Sequence, residues 1–248
     1  MRWVLMRGLT REAGHWGDLP RRLGAALGPA HDVLTLDLPG NGTRHLERSP
    51  ASVAAVAQAC REQLPPGPPP VLVAMSLGAM VAMEWARAVP GEVAGVLMIN
   101  TSARGHSPFW QRLQPRHYAT LLRLPLMAAA EREQHILAMT SNGVRRHAPL
   151  VAHWTRIAAE RPVSAANALR QLWAAACYGA PAEAPQVPVL LLASAGDRLV
   201  SPQCSRQLAQ RWQVPLRLHP WAGHDLPLDD PGWVVAEVRA WALRQGWG

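Results

Sequence analysis

Lysine is absent: all 25 basic residues of the 248-residue chain are arginine. Beside abundant alanine, proline and glycine this marks a compositional bias, so the formal charge of +8 does not by itself call for an anionic partner. The arginines are mostly single or paired, as in Arg21-Arg22, and no helix-turn-helix, zinc-finger or RNA-binding pattern accompanies them. Nucleic-acid binding is therefore not expected. Cysteine is scarce too. Cys60, Cys177 and Cys204 are odd in number and widely separated, which excludes a disulfide framework and a zinc spacing and favours a reducing cytoplasm. No apolar run approaches the roughly 20 residues of a membrane span. The opening Met1-Arg2-Trp3-Val4-Leu5-Met6-Arg7 carries one charge and then a run too short for a signal peptide.

What the chain does have is a hydrophobic fraction of 49%, ample for a sizeable core. Short β-rich runs alternate with helical patterns across the first hundred residues, with strands expected near Trp3, Val33, Val71 and Val93. Helices are expected over 16–27, 51–64 and 77–89, the second capped by Ser49 or Ser52. The turn Asp37-Leu38-Pro39-Gly40-Asn41-Gly42 is dense in breakers, and Pro65 to Pro70 form a stiff connector. The rhythm stops after Thr101. Over 104–182 no strand candidate occurs, only helical patterns separated at Pro115, Pro125, Gly143, Pro149 and Pro162. It then resumes with strands near Val189 and Leu216 and helices over 203–212 and 231–244. The expected fold is α/β: a mostly parallel sheet of about six strands built from residues 1–103 and 183–248, with 104–182 as an inserted helical cap. There is no internal repeat.

The stretch Val71-Leu72-Val73-Ala74-Met75-Ser76-Leu77-Gly78-Ala79 draws the eye first, because a buried run stops at a serine and a helix starts at once behind it. Such a strand-to-helix elbow lifts the hydroxyl clear and needs small residues two before and two after, met here by Ala74 and Gly78. Alone, the pattern also fits a buried strand followed by a helix cap. A nucleophilic serine needs a base and a carboxylate to orient it, and in open α/β sheets these belong in loops at strand carboxyl ends. Asp197, in Ser194-Ala195-Gly196-Asp197, and His224, behind Gly223, stand in two such loops. Asp225, Asp229 and Asp230 follow the histidine too closely and are expected to cap the last helix, while Asn100 cannot supply negative charge. The order Ser76, Asp197, His224 is that of a nucleophile-elbow hydrolase. Candidate oxyanion donors are the amides of Leu77, opening a helix, and of Leu9, behind Gly8. The remaining histidines show no metal spacing, and no metal or organic cofactor is implied.

These motifs together resemble the α/β-hydrolase superfamily along essentially the whole chain. Arg7-Gly8-Leu9 with Trp16 resembles its His-Gly oxyanion loop and downstream tryptophan, and Asp37 to Gly42 its Asp-x-Pro-Gly-x-Gly loop. Ala74-Met75-Ser76-Leu77-Gly78 resembles the Gly-x-Ser-x-Gly elbow. The chain is similar to small capped serine carboxylesterases, including those acting on pimeloyl methyl esters held by acyl-carrier protein. It departs from them in Arg7 for histidine, in Ala74 for glycine, and in beginning at the strand before the oxyanion loop, so the family's usual first hairpin is expected to be missing. The resemblance implies ester hydrolysis through an acyl-enzyme, with thioester or lactone hydrolysis, acyl transfer, carbon–carbon cleavage or a non-catalytic receptor as rival readings. Phe109, Trp110, Met127, Met139 and Trp221 are candidates for the substrate pocket. Between Ser102 and Pro185 lie ten arginines against four acids. Arg112, Arg116, Arg123, Arg145, Arg146, Arg156 and Arg170 are thus candidates to dock an acidic acyl-carrier protein, although solvated arginines would look the same.

Overall fold

The structure, a computed structural model, describes residues 1–143 and 147–248. Arg145 and Arg146, counted above among the cap arginines, lie outside the described residues. The strands are β1 (Arg2–Met6), β2 (Asp32–Leu36), β3 (Val71–Met75), β4 (Gly95–Ile99), β5 (Val189–Ser194) and β6 (Leu216–His219). They form one sheet in the order β2-β1-β3-β4-β5-β6, and every neighbouring pair is parallel. The first helices are α1 (Leu19–Leu27), α2 (Val53–Gln63) and α3 (Leu77–Ala88). Between β4 and β5 come α4 (Phe109–Arg112), α5 (Tyr118–Arg123), α6 (Ala129–Thr140), α7 (His147–Glu160) and α8 (Ala165–Cys177). The chain closes with α9 (Pro202–Trp212), α10 (Leu226–Asp229) and α11 (Pro231–Arg244).

Strand alternation explains the two layers. Trp3 and Leu5 of β1, with Val71, Val73, Leu97 and Leu190, face α1 and α11 through Leu19, Leu23, Val238 and Trp241. Val4, Met6, Leu72 and Leu191 point the other way, onto α2, α3 and α9. The central strands β3, β4 and β5 are buried along their whole length, which is why their sequences read as continuous apolar runs.

Local chemistry moved several boundaries. The helix expected from residue 16 starts at Leu19, because a 3-10 turn over Ala13–Trp16 ends at Gly17 with φ 57°. Ser52, not Ser49, caps α2, accepting from Ala55 N at 3.3 Å. The hydroxyl of Ser49 instead donates to Pro39 O at 2.6 Å. Pro149 does not separate helices: it sits in the first turn of α7, where the amide it lacks has no intrahelical acceptor to miss. The helical segment leaves and rejoins the sheet side by side, with Arg104 bridged to Gly179 and Arg104 N donating to Tyr178 O at 2.9 Å.

The strand order reverses between β1 and β3, since β2 lies on one side of β1 and β3 on the other. A crevice at the carboxyl ends of strands flanking such a reversal is where open α/β sheets bind ligands. Gly8 and Leu9 follow β1, and Ser76 follows β3. The fold thus carries the candidate residues to that crevice.

Candidate functional site

Ser76 occupies the turn between β3 and α3 with φ 54° and ψ −118°. A non-glycine residue held there costs about 1–3 kcal/mol and persists only when its neighbours over-determine it. Here Ser76 N donates to Ile99 O at 3.0 Å, and Thr101 Oγ1 donates to Ser76 O at 3.1 Å. Gly78 is required by packing: a Cβ there would lie 2.5 Å from Arg7 O and 2.6 Å from Met6 O. At Gly8 a Cβ would come within 3.0 Å of Ser76 Cβ. Ala74, fully buried, pairs in register with Met6 and Met98, so the extra methyl is housed within the sheet.

Asp197 and His224 arrive from the loops after β5 and β6. Both are buried, and His224 Nδ1 lies 2.7 Å from Asp197 Oδ2. A carboxylate can only accept, so Nδ1 carries the proton and Nε2 is left as the basic nitrogen. The other oxygen, Asp197 Oδ1, accepts from Leu199 N at 2.9 Å and Val200 N at 3.0 Å. Ser76, His224, Leu9 and Leu77 all line one cavity. Leu77 is the first residue of α3, so its N–H has no acceptor within the helix. A hydroxyl on a strained turn, a carboxylate-bound imidazole and unspent amides in one cavity can move a proton off the hydroxyl and stabilise negative charge on a bound carbonyl oxygen.

Five residues outside the expected triad and oxyanion donors brace this arrangement. Arg7 is buried and gives two hydrogen bonds to Asp225, Nη1 to Oδ1 at 3.0 Å and Nη2 to Oδ2 at 2.6 Å. Its guanidinium also lies 4.8 Å from the centroid of the Trp16 ring. The expectation that Asp225 caps the last helix is therefore corrected: it faces inward to an arginine. Asp229 is corrected as well. Its carboxylate accepts from Gly223 N at 2.7 Å, Asn142 N at 2.9 Å, Gly143 N at 3.1 Å and Ser141 Oγ at 2.5 Å. Only Asp230 caps α11, accepting from Trp233 N at 2.9 Å. Asn142 Nδ2 donates to Gly196 O at 3.0 Å and Trp221 O at 2.7 Å, joining the loop of Asp197 to that of His224. Asn100 is more than a strand end: with φ 47° it donates to His224 O at 2.7 Å and to Ser194 Oγ at 3.0 Å. An asparagine ending an apolar strand run was the one signal the sequence offered for it; the left-handed turn, which asparagine tolerates, is seen only in the fold.

The cavity has a volume of about 420 Å³ and is walled largely by apolar side chains from the helices between β4 and β5, among them Leu113, Leu121, Ile136 and Leu172. Of the five pocket candidates, Phe109 and Met139 line it. Trp110 lies outside, half exposed and edge-on to Phe109 at 5.1 Å. Trp221 is also outside, its ring edge-on to His219 at 5.1 Å. Met127 closes a short 3-10 turn over Leu124–Leu126 and is likewise not part of the wall. Arg11 and Arg112 add charge to the lining. Arg11 pairs with Glu133 at 2.6 Å and lies 4.5 Å from the Trp154 ring centroid. Burial lowers its pKa, and burial together with Arg11 holds His15 well below the ordinary histidine value. Among the described residues no three His, Cys, Asp or Glu side chains are gathered as metal ligands.

Several solved structures share the fold. A thermophilic esterase from Thermogutta terrifontis, solved with malate bound, gives a TM-score of 0.74 at 19% identity over 99% of this chain and 90% of that one. A membrane phospholipase A described as a bacterial virulence factor gives 0.78 at 20% identity, over 100% and 80%. The RedJ thioesterase of prodiginine biosynthesis in Streptomyces coelicolor gives 0.65 at 17% identity, over 96% and 84%. At such identities the likeness is one of fold. Comparison with curated protein sequences gives no match. Residues 3–237 match the family model described as the alpha/beta hydrolase family, and with nearly the whole chain covered, the protein belongs to that family.

Proposed function

We propose that the protein is a serine hydrolase of carboxylic esters. The observation that carries the reading is the buried His224–Asp197 hydrogen bond of 2.7 Å opening into the same apolar cavity as Ser76. Ser76 Oγ attacks the ester carbonyl carbon while His224 Nε2 takes its proton, and Asp197 stabilises the imidazolium and holds its tautomer. The amides of Leu9 and Leu77 donate to the oxyanion. Collapse expels the alcohol, protonated by His224, and leaves an acyl-enzyme. Water, deprotonated by His224, then attacks the acyl carbonyl, and the second collapse returns the proton to Ser76. The helices between β4 and β5 serve as a cap, and their apolar wall suits an acyl chain. Three free thiols, two of them buried, fit a cytoplasmic location.

A series of p-nitrophenyl esters of increasing chain length, run with the parent and with Ser76→Ala, tests the reading. Loss of turnover by at least about 10³-fold in a folded variant is expected. Undiminished hydrolysis by that variant would overturn it.

A further inference from the structure

The helix α8 is turned inside out. Its polar residues Asn167 and Gln171 are buried, 5% and 1% exposed. Asn167 Nδ2 donates to Glu47 O at 2.8 Å, and Gln171 Nε2 donates to Asn41 Oδ1 at 2.7 Å. Its large apolar residues face outward, with Leu169 66%, Leu172 38% and Trp173 63% exposed. These positions, spaced i, i+3 and i+4, form one continuous stripe. An amphipathic surface helix ordinarily puts that stripe against the core, so here the fold leaves it unused.

The stripe is part of a larger face. Arg112 Nη2 and Nη1 donate to Ala175 O and Ala176 O at 2.5 and 2.9 Å, fastening α4 to the carboxyl end of α8. Phe109 of α4 and Leu172 of α8 are both exposed and line the catalytic cavity. They therefore stand at its mouth. Leu122 and Leu126, 79% and 87% exposed, stand in the chain next to the cavity-lining Leu121 and close to the cavity-lining Leu124. Residues 108–126 and 165–177, which frame this mouth, contain Arg112, Arg116, Arg123 and Arg170 and no acidic residue.

We infer that this face, formed by α4, α5 and α8, docks on a lipid–water interface bearing anionic headgroups. Exposed aliphatic bulk, tryptophan and arginine on segments without an acidic residue is the composition that inserts apolar side chains beneath headgroups and attracts anionic lipid. A second copy of the chain is disfavoured, because it would set Arg116, Arg123 and Arg170 against their own counterparts. An acidic protein would satisfy the arginines but leave the leucines and Trp173 without an apolar counterpart. Docked this way, the cavity mouth opens onto the acyl layer, and the esters reached are lipid-borne. That consequence rests on the esterase reading; the docking itself does not.

Binding is therefore measured with Ser76→Ala protein, by co-sedimentation with vesicles of phosphatidylcholine alone and of phosphatidylcholine with phosphatidylglycerol. Partitioning at least about tenfold stronger onto the anionic vesicles, weakening as salt rises, is expected. The double variants Leu169→Asp with Trp173→Asp, and Arg123→Glu with Arg170→Glu, should each lose about tenfold or more while keeping the parent melting temperature. Equal partitioning onto both vesicle types, or double variants that bind like the parent, would overturn the inference. So would a concentration-dependent dimer, or retention by an acidic carrier protein, in the absence of vesicle binding. Absence of ester hydrolysis by the parent protein, with vesicle docking intact, would count against the esterase reading alone.

Discussion

Arg7 and Asp225 meet through two hydrogen bonds, at 3.0 and 2.6 Å, across 218 residues of chain. Arg7 immediately precedes Gly8 and Leu9, and Asp225 immediately follows His224. The pair therefore ties the loop after β1 to the loop that carries the base. Arg7 departs from the His-Gly loop that the sequence resembles, and here that loop is fastened by a buried ion pair.

Removing one member of a buried pair leaves the other charge uncompensated. Arg7→Met or Asp225→Leu alone should lower unfolding free energy by about 3–5 kcal/mol. The double variant should recover much of that loss, because both charges leave together. Urea unfolding of the three variants checks this, and equal losses in single and double variants would speak against it.

A second brace runs through Asn142 and Asp229, and it explains two glycines. A Cβ at Gly223 would lie 2.5 Å from Thr140 O, and one at Gly196 would lie 2.4 Å from Trp221 O. Gly223→Ala and Gly196→Ala should each cost about 1–3 kcal/mol. Asn142→Ala should lower kcat about tenfold with a smaller change in KM, since Asn142 contacts the loops of Asp197 and His224 and does not line the cavity. Steady-state kinetics with the ester series reads this out.

His15 supplies a pH dependence whose sign follows from its surroundings. Burial and Arg11 push its folded pKa well below the ordinary value, whereas the unfolded chain retains a pKa of about 6.5. Below about pH 6.5 the unfolded state binds a proton that the folded state refuses, so stability falls as pH falls. The slope from this one group is at most about 1.4 kcal/mol per pH unit. His15→Gln should flatten the parent curve between pH 7 and 5 by up to one proton. Curves of equal slope would remove His15 from the account.

The thiols should separate by position. Cys60 is buried and its pKa is pushed up to about 12, and burial raises that of Cys204 as well. Cys177 is exposed. Iodoacetamide at pH 8 should alkylate Cys177 in the folded protein and the other two only on unfolding, as read by peptide mass spectrometry. Rapid modification of Cys60 in the folded state would contradict the packing.

What was legible in the sequence follows from which signals are local. Strand β3 and the elbow at Ser76 could be read because a fully buried run and its breaking serine lie within ten residues. Asp197 and His224 could be placed at strand ends by the same logic. Asp225 and Asp229 could not, because their partners lie far away in the chain. Arg7 and Asn142 are 218 and 87 residues distant from them, and a carboxylate just before a helix reads as a cap until the fold supplies another donor. Pro149 misled for a related reason. Its effect depends on where the helix begins, and a helix start is weakly marked when no capping side chain is evident. Trp110 and Trp221 carry the same apolar signal as Phe109, and only the packing of α4 and of the base loop decides which ring faces the cavity.

The central claim is that Ser76 is the nucleophile, and active-site labelling tests it most directly. A fluorophosphonate incubated with the native protein, followed by peptide mass spectrometry, should place one adduct on Ser76. Labelling should be lost in Ser76→Ala and strongly slowed in His224→Gln. An adduct on any other residue, or undiminished labelling of the Ser76→Ala protein, would contradict the account.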